Sequence, residues 1–117
     1  MQYALLIYQG AIPGSDEWDA LPAAEVKQVY ADYAELNQTP GVTPGLPLGL
    51  PEKARTVKVE NGRTVATDGP YISAAGAVGG YLVFEADDID AAVALAARIP
   101  AARLGGAIEV RPVEKYW

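Results

Sequence analysis

Asp68 is the residue whose type and setting come nearest to chemistry. It follows a hairpin strand and precedes Gly69 and Pro70, so its carboxylate stands at a bend where a cleft can form. Apolar neighbours there would raise its pKa and let it act as a general base. The simpler reading of Asp-Gly-Pro is an Asx-type turn, with the carboxylate bonded to backbone two residues on. Tyr71 follows directly and offers a hydroxyl to a ligand, or a ring to the core or an interface. Tyr8, Tyr33 and Tyr81 have the same two uses. Seven tyrosines in so short a chain fit an apolar cavity with polar tips. Glu109 and Arg111 lie two apart on a strand-like run and share one face. Arg111 could grip a ligand carboxylate. The simpler reading is an ion pair worth little energy.

Other chemistry is excluded by what the chain lacks. It has no cysteine and no histidine, so thiolate metal sites, disulfides and imidazole bases are out of reach. Ser15 and Ser73 therefore have no histidine to activate them. Gly76, Gly79 and Gly80 match no phosphate-binding loop. Asp87, Asp88 and Asp90 lack the glycine and distal glutamate of a calcium loop, and helix capping explains them better. No metal and no cofactor is called for. The net charge is −6 and the nine basic residues are scattered, which argues against direct nucleic-acid binding. The apolar N-terminal run is too short for a signal peptide or a membrane span. A soluble cytoplasmic protein is expected.

The 117 residues suit one domain, 1–117. Residues 3–8 (YALLIY) read as a buried strand. Ser15 or Asp16 can cap a helical turn within the polar stretch 14–21. A helix should start near Pro22 and stop before Pro40, with Val26, Val29, Tyr30, Tyr33 and Leu36 as its apolar stripe. Residues 40–51 hold four prolines and three glycines and predict a loop, with room for a bent edge strand. Residues 55–60 and 63–67 alternate around Asn61-Gly62, a hairpin signal. Residues 68–80 are a loop of small residues, and 81–86 predict a second buried strand. Asp87 or Asp88 caps a second helix whose stripe is Ile89, Ala92, Val93, Ala96 and Ile99, ending at Pro100. Residues 107–113 predict the last strand.

Merging the hairpin gives βαββαβ, an α+β ferredoxin-like plan with an antiparallel sheet and two helices on one face. The apolar segments 3–8 and 81–86 suit its central strands, and the charged segments 55–60 and 107–113 its edges. The other face of the central strands then needs a cover, because soluble monomers tolerate apolar patches of only about a few hundred Å2. A second copy packed sheet to sheet is the simplest cover, and residues 40–51 folding back is the alternative.

The elements TDGPY (67–71), GG (79–80) and YLVFEADDIDAAVALAARIPAARLGGAIEVRPV (81–113) resemble the DGPF group within the YCII-related family. The YALLIY strand and the hairpin TVKVENGRTVATDGP fit it as well. The resemblance implies a ferredoxin-like fold that dimerises into a barrel-like assembly with a cleft near the subunit interface. It implies no settled activity. Tyr71 stands where the family expects phenylalanine. The His-Asp pair attributed to related YCII proteins cannot exist here. The Glu- and Lys-bearing stretch after DGP in many relatives is replaced by Ile72-Ser73-Ala74-Ala75-Gly76-Ala77. The expected function is small-molecule binding near a homodimer interface, with weak catalysis by Asp68. The alternative is a non-catalytic interaction module serving a sigma-type transcription regulator, since DGPF members are often encoded beside one.

Overall fold

The computed structural model describes residues 1–8, 13–72 and 78–116. The elements run β1 (Gln2–Tyr8), α1 (Asp16–Asp19), α2 (Ala23–Gln38), β2 (Val42–Pro44), β3 (Arg55–Glu60), β4 (Arg63–Asp68), β5 (Val78–Glu85), α3 (Ile89–Ala96) and β6 (Ala107–Pro112). Single 3-10 turns at Pro51–Lys53 and Pro100–Ala102 precede β3 and β6. The chain is α+β. Four antiparallel strands form one sheet in the order β2-β5-β1-β6, compatible with the ferredoxin-like plan. Strands β3 and β4 pair with each other as a separate two-stranded sheet.

One expectation is corrected. Residues 55–60 are not the sheet's edge; residues 42–44 are, pairing Val42 with Phe84, Thr43 with Val83 and Pro44 with Leu82. Glycine makes this approach feasible. Gly41 adopts φ +89° and its carbonyl accepts from the Glu85 N–H at 2.8 Å. The charges on 55–60 belong to an inserted hairpin instead. Its turn residues Asn61 and Gly62 have φ values of 51° and 76°, as a type I′ connection requires.

The core lies between one sheet face and the two long helices. Tyr3, Leu5 and Ile7 of β1 and Leu82 of β5 meet Leu36, Ala92, Leu95, Ala96 and Ile99. The predicted stripes hold in part. On α2, Val29 and Leu36 are buried, but Tyr30 turns outward and meets Trp18 edge to face, with ring centroids 5.7 Å apart. On α3 the buried row includes Leu95, while Ile89 and Val93 are exposed. A helix apolar on most sides fits two phases. The phase adopted sets small alanines against the sheet. Ser15 caps α1, its hydroxyl accepting from the Trp18 N–H, and Asp88 caps α3, its carboxylate accepting from the Ala91 N–H. Arg103 ties the segment after α3 to α2 by pairing with Glu25 at 3.0 Å and Asp32 at 2.9 Å.

Among the described residues no second layer covers the opposite sheet face. In register, Ala4 lies between Val83 and Arg111, Leu6 between Tyr81 and Glu109, and Tyr8 between Val78 and Ala107. The three β1 residues are half-buried and Tyr81 is 42% exposed. Among the described residues the hairpin strands pack chiefly on each other and meet no other element as extensively. The radius of gyration is accordingly 15.9 Å, against about 13 Å for a compact chain of this length.

Candidate functional site

The root of the hairpin is tied by three local interactions. The Gly69 N–H donates to the Ala54 carbonyl at 2.8 Å, and the Thr56 hydroxyl donates to the Gly69 carbonyl at 2.8 Å. Arg55 and Asp68, opposite each other in the β3–β4 register, pair at 2.9 Å. The expected Asx-type bond is absent, and the reason is chemical. The backbone nitrogen two residues beyond Asp68 belongs to Pro70 and carries no hydrogen. The carboxylate turns to Arg55 and is 85% exposed.

The bend that follows brings Pro70, Tyr71 and Ile72 against the ends of β1 and β5. A cleft of about 420 Å3 opens there, walled by Tyr8, Leu48, Leu50, Pro51, Tyr71 and Val78 among others. The lining is mostly apolar, and Lys53 is its charged member. Tyr71 is itself 72% exposed, and the Lys58 ammonium sits over its ring, 5.2 Å from the centroid. The mouth of this cleft therefore carries positive charge.

Of the residues singled out by sequence, Tyr8 and Tyr71 meet in this cleft. Asp68 stands two residues before its wall residue Pro70 and is not itself part of the cleft wall. Glu109 and Arg111 lie elsewhere, on the open sheet face beside Leu6 and Ala4. They make no ion pair with each other within 4.0 Å. Residues 73–77, including Ser73 and Gly76, fall outside the described residues. Among the described residues no group of three acidic side chains is placed to hold a metal, and no helix is long and apolar enough to cross a membrane.

Sequence reasoning missed a second cavity. It measures about 560 Å3 and lies between α2, the end of the sheet and the strap 44–48, with Trp18, Tyr30, Tyr33, Asn37, Leu46 and Tyr81 in its wall. Tyr8 and Leu48 line both spaces and so form a shared partition. The abundance of tyrosine pointed to a cavity of this kind, but nothing in the spacing of Trp18 and Asn37 placed them in it. Burial pushes the Tyr33 hydroxyl above its ordinary pKa, an effect the Arg103 charge partly offsets.

The family model for the YCII-related domain matches residues 1–116. No curated protein matches this chain.

Proposed function

We propose that this chain, which belongs to the YCII-related domain family, works as a homodimer and holds a small organic anion in the cleft between Tyr8 and Tyr71. The observation that carries this reading is the position of Tyr8. It ends the open-face row Ala4, Leu6, Tyr8 and also walls the cleft. A second sheet laid on that face would cover the cleft's flank and exclude water from it. The apolar lining suits the body of a ligand, and Lys53 with Lys58 suits a negative group at the mouth. Arg111, in the row beside Ala4, would meet the partner sheet rather than the ligand, with Glu109 next to it. Within this reading Asp68 is the acid–base group, and its use requires the carboxylate to leave Arg55.

Sedimentation of the intact chain and a thermal-shift series with small carboxylates test the proposal together. The expected result is a dimer at micromolar concentration, stabilised by a carboxylate in a way that Tyr71→Ala and Lys53→Ala abolish. A monomer that no carboxylate stabilises would overturn it.

The exposed valines of the hairpin favour a second reading, a non-catalytic interaction module serving a transcription regulator. Val57 and Val59 are 60% and 70% exposed. Stoichiometric recovery of such a regulator with the chain, lost in Val59→Lys, would favour it.

A further inference from the structure

The cavity beside α2 differs from the cleft in the feature that decides what it can hold. None of its described wall residues is charged. Its floor is core, with Ile7, Val29 and Leu82 buried. Five aromatic rings, from Tyr8, Trp18, Tyr30, Tyr33 and Tyr81, stand around the space. The strap 44–48 closes one side and is pinned along its length. Its first residue pairs with β5, and the Leu48 N–H donates to the Gly79 carbonyl at 3.1 Å. Between them Gly45 lies against Tyr81, so close that a Cβ there would stand 2.7 Å from the ring. These contacts hold the walls without help from a ligand, so binding would cost little ordering.

The chemistry of the wall selects the ligand. An ionised group entering here would lose its water and find no charged side chain in the wall, and Arg103, whose charge reaches Tyr33, is already paired with Glu25 and Asp32. Flat aromatic surface would meet ring faces and edges that attract it beyond simple burial. Polar recognition is confined to a few points. The Tyr33 hydroxyl and the Asn37 amide make no hydrogen bond among the described residues, and burial pushes the Tyr33 hydroxyl above its ordinary pKa. The volume of about 560 Å3 accommodates one or two fused rings with space to spare.

We propose that this second cavity binds an uncharged, planar, one- or two-ring aromatic molecule whose single polar group meets Tyr33. The site is separate from the anion cleft and shares with it the partition of Tyr8 and Leu48.

The test uses 2-naphthol, naphthalene and naphthalene-2-carboxylate as probes. Binding is read as a change in Trp18 fluorescence in a Trp117→Phe background, so that one tryptophan reports. Both uncharged probes should bind, and the carboxylate should bind at least about tenfold more weakly, as an uncompensated charge demands. Leu46→Asp should abolish binding of the uncharged probes. Leu46 is 71% exposed, so the fold does not depend on it. Tyr33→Phe should weaken 2-naphthol by about fivefold, the worth of one hydrogen bond, and leave naphthalene unchanged. Tyr71→Ala and Lys53→Ala should leave both affinities as they are. The inference fails if no uncharged probe binds at millimolar concentration, or if the carboxylate binds as well as 2-naphthol. It also fails if binding is lost with Tyr71→Ala and kept with Leu46→Asp. In that last case the ligand sits in the cleft, and the reading of the cleft stands alone.

Discussion

The four-stranded sheet and the hairpin are built from similar residues and end in opposite environments. In β1, Tyr3, Leu5 and Ile7 are buried, and Ala4, Leu6 and Tyr8 are half-covered. In β3 and β4, Val57, Val59 and Val65 stand 60%, 70% and 40% exposed. Both segments alternate, and both carry the β-branched or aromatic residues that strands favour. The difference lies in what packs on them. Alternation decides which side chains share a face, and a cover decides whether that face is buried. An isolated two-stranded hairpin is marginal in water. The arm therefore relies on its turn, its cross-strand pairs and the bonds at its root.

The largest effects should come from the covered sheet. Leu5→Ala removes a fully buried side chain at the centre of the core and should cost about 2–5 kcal/mol in urea unfolding. Val57→Ala, measured in dilute solution where any dimer has dissociated, should stay within about 0.5 kcal/mol. Equal losses would mean that the arm packs on its own chain. Gly45→Ala comes next. Its new Cβ would press on the Tyr81 carbonyl and ring, and such overpacking costs about 1–3 kcal/mol. The damage should be local. Faster hydrogen exchange in β2 and the strap, with β1 unchanged, would be its signature.

The hairpin's contribution should appear in association. Val57 and Ala66 are register partners, and Val59 lies on the same face, so the three form one apolar strip. If a second copy covers that strip, Val57→Lys with Val59→Lys should weaken the dimer by about tenfold or more, since one buried valine is worth about 1.5 kcal/mol. The monomer's unfolding midpoint should not move. Lys58→Ala changes the other face of the same strand and serves as the control. A dimer indifferent to both variants would confine the interface to the open sheet face.

Legibility in the sequence follows the same division. The elements with a cover left a mark that could be read. YALLIY and YLVFEA predicted central strands because both faces of each are apolar, and Asp87 or Asp88 marked a helix start by type, Asp88 being the one that caps. The edge at Val42–Pro44 was half-hidden, because three residues set among prolines and glycines carry no periodicity. Residues 55–60 had the charges of an edge strand, yet charge reports solvent contact and not which sheet is joined. α3 misled in phase because alanine, valine and leucine fill nearly all its sides. At the candidate site, Tyr8 and Tyr71 were found through residue type and the bend at Gly69-Pro70. The cavity by α2 was not found, since its wall is assembled from many separated segments. Glu109 and Arg111 were correctly placed on one face, but no rule of spacing could say that this face lies away from the cleft.

The smallest effect expected on the fold is at the residue that began the search for chemistry. Asp68 bridges the hairpin root only through Arg55, and both side chains are largely in solvent, at 85% and 73% exposure. An ion pair so exposed contributes less than about 1 kcal/mol. Asp68→Asn should therefore leave the unfolding midpoint almost unchanged, as should Arg55→Gln. The hydrogen bonds from the Gly69 N–H to the Ala54 carbonyl and from the Thr56 hydroxyl to the Gly69 carbonyl keep the bend in place without the pair. That independence makes the variant a clean probe of catalysis. If turnover of a bound carboxylate falls in Asp68→Asn while affinity and stability hold, the carboxylate is needed for chemistry and the hairpin root exists to present it. If turnover and affinity both persist, Asp68 is a solvent-facing anchor of the arm, and the cleft binds its ligand without an acid or base from this position.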